Sequence, residues 1–593
     1  MPFNLIRRFA VVALSTLVTV CALAKTPATP EKMNQLYAAY WEEYPEANPI
    51  AATFNGDNRF NDRFGATTSA EIRARTKALA DKYLMQTVQY DPATLRGEDR
   101  ISYDLLRYQL QLSLDGLKFP SHLMPINQTG SLPLIFAQLG SGRLAQPFVT
   151  VKDYDNWVAR AAGFAPAVDG MIVDMREGIK RGVVLPKALV KPVLPQLENL
   201  GGPDLEKNIY MAPLKKFPAS FTEAEKTRLT AAYIALVRDR IVPAYQRLLV
   251  FMRDTYLPAS RDTVALSALP DGKAWYAFRA RSSTTTEQSP GAIHAIGLAE
   301  VARIRSLFEE AKERVGFKGT LKEFFVHMNT APELRFTNRE EIQAAYEALR
   351  ARVDAKAPVF FQRIPKTAFE IRPIETFREV SGPPAQYFQG LPDGSRPGIF
   401  YYNAYKPETR TRFTTTAFFL HEAIPGHHFE ISLAQEQLGM PGFRRFGGTG
   451  AFSEGWGLYS EMLGQEMGLY DDPWQWVGRL SAEVWRAVRL VVDTGIHSKG
   501  WSREQAIAYF LENVPQGETV AVQEVERYIA VPGQALSYKI GELKLLELRA
   551  RAEKALGPKF DIRAFHEEIL IHGSVPLRVL ESAVDRWLAG QKK

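Results

Sequence analysis

The segment that most constrains the fold is His421-Glu-Ala-Ile-Pro-Gly-His-His428, where three of the nine histidines fall within eight positions. An apolar run from residue 414 to residue 420 leads directly into it, which favours a buried helix. Proline removes a backbone donor and glycine permits conformations that distort a turn. The sequence therefore predicts a helix that is interrupted at Pro425 and Gly426.

The residue types of this segment are those of a zinc hydrolase. In the common zincin pattern, histidines at i and i+4 of one helix bind zinc, and the glutamate after the first is the general base. Here His421 and Glu422 fit the pattern, but the i+4 residue is Pro425, which cannot bind a metal. A two-residue insertion makes His427 the second ligand. His428 is the alternative, although on an unbroken helix it would lie about 10 Å along the axis from His421.

A third protein ligand is expected, because a catalytic zinc site has three such ligands and leaves one position for water. The segment Ser453-Glu-Gly-Trp-Gly-Leu-Tyr-Ser-Glu461 follows a glycine-rich turn at residues 447–450. Ser453 resembles a helix cap, which would place Glu454 in the first turn and Glu461 on the same face. We predict that Glu454 is the third ligand and that Glu461 supports a ligand from behind.

Most of the chain is predicted to be helical, because capping signals recur along it. The predicted helix starts are Thr150, Thr222, Ser289, Asn338, Asp472 and Ser502. The helix from Thr222 is expected to kink at Pro243 and to stop before Pro258. Residues 367–403 are the exception, since their aromatic and β-branched runs, separated by turns, predict a small β-sheet directly before the histidine-bearing helix. An extended peptide could add to the edge of such a sheet.

Composition and the N-terminus indicate an exported globular protein. The hydrophobic content is 46% and the charged content 23%, which excludes general disorder. Residues 1–24 have the layout of a secretory signal peptide, and the apolar run at residues 9–20 is shorter than the roughly 20 residues that span a bilayer. We expect a periplasmic or extracellular protein without a stable membrane span. Lipid attachment at Cys21 is less favoured, because Val20 precedes it where a small residue is preferred.

Cysteine and charge narrow the chemistry further. Cys21 is the only cysteine and would be lost with the signal peptide, so any metal must be bound by histidine, carboxylate and water. A cysteine nucleophile is excluded for the same reason. The formal net charge of +7 falls by two when Arg7 and Arg8 are removed, and the remaining Lys and Arg are scattered among acids. We therefore expect no nucleic-acid partner.

Several motifs together resemble one bacterial family. The run from His421 to His428, the segment Ser453-Glu-Gly-Trp-Gly-Leu-Tyr459 and the segment Pro532-Gly-Gln-Ala-Leu-Ser-Tyr-Lys-Ile-Gly541 look like the family catalogued as domain of unknown function 885 (DUF885). Residues 283–294 and 492–497 extend the match over the mature chain. The family in turn resembles gluzincin metallopeptidases of the thimet oligopeptidase and carboxypeptidase Taq kind. This resemblance implies a mainly α, multi-helical zincin-like fold with a deep cleft.

The resemblance also implies roles for individual residues. In those relatives the third ligand is a glutamate, and a second glutamate follows seven residues after it. Glu454 and Glu461 are similar to that pair. A tyrosine from a late Gly- and Pro-rich segment stabilises the oxyanion there, and Tyr538 is similar in position. His497 follows Gly495 closely in the sequence, and this glycine predicts a loop that enters the cleft. There His497 could bind substrate or assist Tyr538.

The leading functional hypothesis is an exported zinc metallopeptidase with one zinc ion, which hydrolyses short or unfolded peptides through a water activated by Glu422. One alternative is a zinc hydrolase of another amide, such as a cell-wall fragment. Another is a degenerate gluzincin that binds peptides without cleaving them. A boundary between residues 257 and 272 would divide an N-terminal helical region, 25–265, from a catalytic region, 266–593, both part of one intertwined domain of the family.

Overall fold

A computed structural model describes residues 26–375, 379 and 382–591. The predicted signal peptide, residues 1–24, and Cys21 lie outside the described residues. Within them the protein is mainly α, which confirms the prediction from the capping signals. No helix of this part of the chain has both the length and the apolar character needed to cross a bilayer.

The helices of the N-terminal region are between three and 20 residues long. In chain order they are α1 (Pro30–Ala47), α2 (Pro49–Phe54), α3 (Ser69–Val88), α4 (Gly97–Gly116), α5 (Leu132–Gly140), α6 (Val151–Ala161), α7 (Phe164–Arg181), α8 (Lys187–Val190), α9 (Val193–Leu200), α10 (Glu223–Leu236), α11 (Val242–Phe251) and α12 (Leu257–Ala259).

The second region is also built from helices, several of them longer than 20 residues. They are α13 (Gly272–Thr284), α14 (Pro290–Arg314), α15 (Leu321–Thr330), α16 (Arg339–Phe360), α17 (Thr415–Glu422), α18 (His427–Gln435), α19 (Gly442–Arg445), α20 (Gly450–Glu466), α21 (Pro473–Lys499), α22 (Arg503–Asn513), α23 (Glu518–Ala530), α24 (Ser537–Leu556), α25 (Ile562–Leu570) and α26 (Leu577–Gln591).

The predicted helix starts are confirmed by their capping contacts. The Thr222 hydroxyl accepts a hydrogen bond from the Glu225 backbone, and the Glu225 carboxylate accepts one from the Thr222 backbone. This reciprocal capping box recurs where it was predicted at Thr150 and Ser502. Such caps satisfy backbone donors that the first turn of a helix leaves unpaired.

The helix that begins at Thr222 extends further than predicted. A π-helical turn, Val237–Ile241, separates α10 from α11 just before Pro243, and a second, Met252–Tyr256, separates α11 from α12. The prediction that the helix stops before Pro258 is wrong, because α12 includes that proline and ends at Ala259. The wider π turn accepts Pro258 near the start of α12, where its missing N–H is not needed.

Two small sheets accompany the helices. β1 (Thr26–Pro27) pairs in parallel with β2 (Tyr90–Asp91). The predicted sheet within residues 367–403 is present as β3 (Phe369–Pro373), β4 (Ala385–Phe388) and β5 (Gly398–Tyr402). The strand order is β3-β5-β4, with β5 buried along its length, parallel to β3 and antiparallel to β4. Both α17 and α18 pack against β4, so this sheet lies beside the interrupted helix.

Helix α21 is at the centre of the second region, because every residue from Val477 to His497 is buried. A helix that is buried all round must be covered on every side, and α21 packs against α14, α17, α20, α22, α23 and α24. The largest hydrophobic cluster joins residues on both sides of position 265, for example Tyr245 and Val488. The division at that position stays a prediction.

Candidate metal centre

The interruption predicted at Pro425 and Gly426 is present and returns the chain sharply toward His421. Helix α17 ends at Glu422 and α18 begins at His427. A Cβ atom on Gly426 would lie 1.9 Å from the His421 carbonyl oxygen, so no other residue fits the turn. The Trp456 indole N–H donates to the Pro425 carbonyl at 2.7 Å and ties the turn to α20. The turn thus brings His427 back beside His421.

His421, His427 and Glu454 converge on one point. The Nε2 atoms of His421 and His427 lie 3.4 and 3.5 Å from Oε2 of Glu454. One ligand atom from each residue lies within 4.8 Å of the other two. The rings of the two histidines are nearly perpendicular, at 84°, with their centroids 4.8 Å apart. Side chains from α17, α18 and α20 therefore present two imidazole nitrogens and a carboxylate oxygen to the same space.

The two distances from the histidine nitrogens to the Glu454 oxygen fit a tetrahedral metal ion. Ligand atoms at about 2.1 Å from a tetrahedral ion are about 3.4 Å from each other. The two nitrogen-to-oxygen distances of 3.4 and 3.5 Å agree with this value. Two histidines and one carboxylate form a donor set that suits zinc and leave a fourth position for water or substrate.

Glu461 orients the His421 ring through the ring nitrogen that does not face Glu454. Its Nδ1 donates to Oε1 of Glu461 at 2.8 Å, which leaves Nε2 to face Glu454. Glu461 is almost fully buried, and its other neighbour is the Arg486 guanidinium at 3.9 Å. A carboxylate that holds the second nitrogen of a histidine in this way fixes the ring and strengthens it as a metal ligand.

His427 is oriented by a chain of two hydrogen bonds. Its Nδ1 lies 3.3 Å from the Ser453 hydroxyl, which donates to Oε2 of Glu430 at 2.9 Å. The Glu430 side chain is buried. Ser453 does not cap the helix as predicted, because α20 starts at Gly450 with Thr449 as its cap. The serine hydroxyl is therefore available for the histidine, and Glu454 lies in the second turn.

The three side chains hold a strongly perturbed set of charges. Burial lowers the pKa of His421 and His427, but hydrogen bonds to neighbouring carboxylates outweigh it and raise both pKa values. Burial raises the pKa of Glu454, yet hydrogen bonds to the two histidines bring it well below its ordinary value. Without a metal the cluster therefore favours protonated histidines around an ionised glutamate. A divalent cation would take the place of those protons.

Glu422 directly follows His421, and its carboxylate is uncommitted. It is the last residue of α17 and is partly exposed. Its charge helps to raise the pKa of His427, after the larger effects of burial, which lowers that pKa, and of Glu430 and Glu454, which raise it. Among the described residues it makes no hydrogen bond, which leaves the carboxylate free to exchange a proton with a water molecule.

Tyr538 approaches the site from the start of α24. Its ring is nearly parallel to that of His421, with centroids 6.5 Å apart. Two glycines permit this approach, because a Cβ on Gly541 would lie 1.9 Å from the Ala451 carbonyl oxygen and one on Gly455 would lie 2.5 Å from Gly541. Burial and the charge of Glu454 raise the pKa of Tyr538, so its hydroxyl remains a donor near neutral pH.

The model of the DUF885 family, described as "Bacterial protein of unknown function", matches residues 49–584, which is most of the chain. The chain belongs to this family. No curated protein matches the chain.

Two solved structures are similar to this DUF885 member. One is the crystal structure of a "putative lipoprotein" from Colwellia psychrerythraea, with a TM-score of 0.87 and 29% identity, covering 95% of this chain and 100% of that one. The other is a "putative lipoprotein of unknown function" from Shewanella oneidensis, with a TM-score of 0.66 and 17% identity, covering 93% of this chain and 99% of that one. The second likeness shows a shared fold only.

His428, the alternative second ligand, points away from the other three residues. Its ring packs against Phe369 of β3, and its Nδ1 lies 3.0 Å from the Tyr387 hydroxyl of β4. Burial lowers its pKa to about 4, so it is neutral at physiological pH. Adjacent residues of a helix face different sides, and at the start of α18 only His427 faces His421 and Glu454.

His497 does not lie in a loop, and that prediction is wrong. It is inside α21, where it is buried and its Nδ1 accepts a hydrogen bond from the Leu266 backbone at 3.0 Å. Its Nε2 donates to the Tyr528 carbonyl at 3.0 Å. Gly495 lies within the helix, where the absence of a side chain leaves room for the Trp501 ring. Both ring nitrogens serve backbone groups, so neither is free for a substrate.

Sequence reasoning missed three supporting residues of this DUF885 site. Glu430 and Ser453 orient His427, and Gly457 makes room for the His421 ring. Glu430 is three residues after His427, a helical spacing that could have suggested a contact. Nothing local distinguishes Ser453 or Gly457, because their roles depend on how α20 packs against α17 and α18.

Proposed function

We propose that this protein is a metal-dependent peptidase, with zinc as the metal. The observation that carries the proposal is the convergence of His421, His427 and Glu454 with two nitrogen-to-oxygen distances of 3.4 and 3.5 Å, together with the uncommitted carboxylate of Glu422, the residue after His421. This arrangement is the ligand set and general base of the gluzincin metallopeptidases that the motifs resemble. A purely structural metal site would close the fourth position and would not need Glu422.

When bound, the metal supplies a Lewis acid that polarises a water molecule and the scissile carbonyl group. Glu422 removes a proton from the attacking water while the water oxygen bonds to the carbonyl carbon. The Tyr538 hydroxyl donates a hydrogen bond to the oxygen on which negative charge develops. Glu422 then delivers its proton to the nitrogen of the leaving amine as the carbon–nitrogen bond breaks.

The sheet next to the site supports a peptide as the substrate. β4 is an edge strand, and both α17 and α18 pack against it. An extended peptide can extend a sheet at such an edge, which places its backbone carbonyl groups in regular succession along the strand. The histidine-bearing helices would then face the peptide backbone instead of one particular side chain. We therefore propose short or unfolded peptides as the substrate class.

The proposal includes export. Residues 1–24 have the layout of a secretory signal peptide, and the similar Colwellia protein is described as a putative lipoprotein. The periplasm and the extracellular space are both oxidising, and a mature chain without cysteine forms no disulfide in either of them.

The test is peptide hydrolysis by the purified protein, read by mass spectrometry on a library of short peptides. We expect cleavage that stops in the presence of a zinc chelator and in the Glu422→Gln variant. The variant should still contain metal, because Glu422 is not a ligand. The proposal fails if the metal-loaded wild type cleaves no peptide in the library, or if Glu422→Gln cleaves at the parental rate.

A further inference from the structure

A pair of buried arginines lies next to the Tyr538 ring. Arg486 and Arg489 are three residues apart on α21, so they lie on one face of that helix. Their guanidinium carbons are 6.0 and 4.3 Å from the centroid of the Tyr538 ring. The two side chains are only 10% and 8% exposed. Because Tyr538 also stacks on His421, this pair is close to the proposed catalytic centre.

Arg489 has an unused hydrogen-bond donor. Its Nε donates to the Tyr528 hydroxyl at 3.3 Å, and its Nη2 donates to Oε2 of Glu524 at 3.0 Å. Its Nη1 is buried and has no hydrogen-bond partner in the described part of the chain. Buried donors are nearly always paired, and an exception calls for an explanation.

Arg486 is also incompletely paired. Its Nη1 donates to the Ala482 carbonyl at 3.2 Å. Its nearest carboxylate is that of Glu461, at 3.9 Å from Nη2, which is too long for a hydrogen bond. Its Nε has no partner within residues 26–375, 379 and 382–591. Glu461 is moreover engaged with His421.

Positive charge therefore exceeds negative charge at this place. Glu524 is the carboxylate bound to Arg489, and it is shared with Arg527 at 3.0 Å and with the Tyr528 hydroxyl at 2.6 Å. Glu524 thus serves two guanidinium groups, and the only carboxylate near Arg486 in the described part of the chain is that of Glu461, at 3.9 Å and shared with His421. Three buried or nearly buried guanidinium groups share two carboxylates, which is costly, so the cluster is better explained by an anion that arrives with the substrate.

We propose that Arg489, assisted by Arg486, binds the terminal carboxylate of the peptide substrate. A guanidinium and a carboxylate match in planar geometry and bond strongly through two parallel hydrogen bonds. Of the three aromatic rings around the Arg489 guanidinium, that of Tyr538 is the nearest, at 4.3 Å, and Tyr538 is partly exposed, so we place the path of the substrate carboxylate on its side. This inference rests on the proposed peptidase function and makes it that of a carboxypeptidase.

The distances define how far from the terminus the protein cuts. The Tyr538 ring centroid is 6.5 Å from that of His421 and 4.3 Å from Cζ of Arg489. The His421 ring and the Arg489 guanidinium are therefore at most about 11 Å apart, which is the length of about three extended residues. The products released from the carboxyl end should therefore be single residues, dipeptides or tripeptides. Internal cleavage of long peptides is not expected.

The experiment uses the metal-loaded wild type and three peptides that differ only at the carboxyl end. One has a free terminal carboxylate, one has a terminal amide, and one has a terminal amide with glutamate as the last residue. We expect kcat/KM for the free acid to exceed that for the amide by roughly 10- to 100-fold, the value of a charged hydrogen bond. The third peptide should behave like the amide. Recovery of its rate would mean that the arginines bind an acidic side chain instead and would overturn the terminal assignment.

Variants test the assignment to Arg489. In Arg489→Met the ratio of acid to amide should fall toward one, and Arg489→Lys should keep part of it, because the charge remains without the planar fork. Arg238→Met removes an exposed arginine from a surface ion pair and should leave the ratio unchanged. Circular dichroism checks that each variant is folded. An unaltered ratio in folded Arg489→Met would overturn the proposal.

A binding measurement separates this inference from the proposed function. Calorimetry with Glu422→Gln loaded with metal records peptide binding without turnover. If the wild type cleaves neither peptide, the peptidase proposal fails, but tighter binding of the acid than of the amide would still support the carboxylate site. Equal binding of both peptides would overturn the site, whether or not the protein is a peptidase.

Discussion

A Cβ atom on Gly457 would lie 2.6 Å from Cε1 of His421, so the imidazole occupies the space that a side chain at position 457 would take. The glycine is three residues after Glu454 on α20, on the face that meets α17. The close packing of α17 against α20 sets the distance between His421 and Glu454. The absence of one side chain thereby contributes to the geometry of the proposed metal centre.

Replacing this glycine should damage the metal site without unfolding the protein. In Gly457→Ala the new methyl group would push the His421 ring away from Glu454, and we expect metal affinity to fall by about 10- to 100-fold, as when a ligand loses its support. Titration with a competing zinc chelator measures the change. Gly439→Ala is the control, because a Cβ there meets nothing within 4 Å. Equal affinity in both variants would contradict the steric role.

Glu461 should matter for metal affinity although it is not a ligand. Glu461→Gln keeps the shape of the side chain but removes the charge that supports Nδ1 of His421. We expect affinity for zinc to fall by about 10- to 100-fold. Glu466→Gln, which changes a glutamate that pairs with Arg549 further along the same helix, should have no such effect. Wild-type affinity in Glu461→Gln would show that the contact is only structural.

Removal of the Tyr538 hydroxyl should slow catalysis and leave the metal in place. We expect kcat/KM of Tyr538→Phe to be lower by about 100-fold or more, the usual effect of losing one oxyanion donor. The ring itself remains, so its packing on His421 and Arg489 is preserved. Steady-state kinetics together with metal analysis measure both quantities. Parental turnover in the variant would make the oxyanion role wrong.

A salt bridge between α4 and the end of α25 should make stability depend on pH. His572 contacts Glu98 through Nδ1 and Glu568 through Nε2 at 3.0 Å. Burial lowers the pKa of His572, but the two carboxylates outweigh it and raise the pKa. Burial likewise raises the pKa of Glu98, while the contacts with His572 and with Arg444 lower it to about 2.

The signs of these shifts define the window in which the bridge stabilises the fold. A raised histidine pKa contributes stability below the unfolded value and loses it as pH rises through the folded value. The lowered pKa of Glu98 contributes stability that is lost only as pH falls toward about 2. We expect His572→Gln to lower the melting temperature more at about pH 5.5 than at about pH 9. Equal losses at both values would contradict the charged state of the histidine.

Local features of the fold followed from the sequence, and features that depend on packing did not. The capping box at Thr222 involves residues three positions apart, so the sequence contains all of it. The interruption at Pro425 and Gly426 is local in the same sense. The extent of the helix past Pro258 depends on a π turn, which propensities do not reveal.

The candidate site shows the same division. His421, Glu422 and Glu454 could be singled out from residue type and spacing, but the choice between His427 and His428 needed the direction in which α18 leaves the turn. His497 was misplaced because a glycine suggested a loop, whereas Gly495 lies under Trp501 within α21. The unpaired donor of Arg489 could be found only once α21, α23 and α24 were packed together.

The central claim is that His421, His427 and Glu454 bind one catalytic metal, and metal content of matched histidine variants tests it most directly. Inductively coupled plasma mass spectrometry on purified wild type, His427→Ala and His428→Ala, each checked for folding, gives the metal per chain. We predict about one zinc per chain in the wild type and in His428→Ala, and almost none in His427→Ala. A wild type without metal after incubation with zinc, or loss of metal from His428→Ala but not from His427→Ala, would contradict the account.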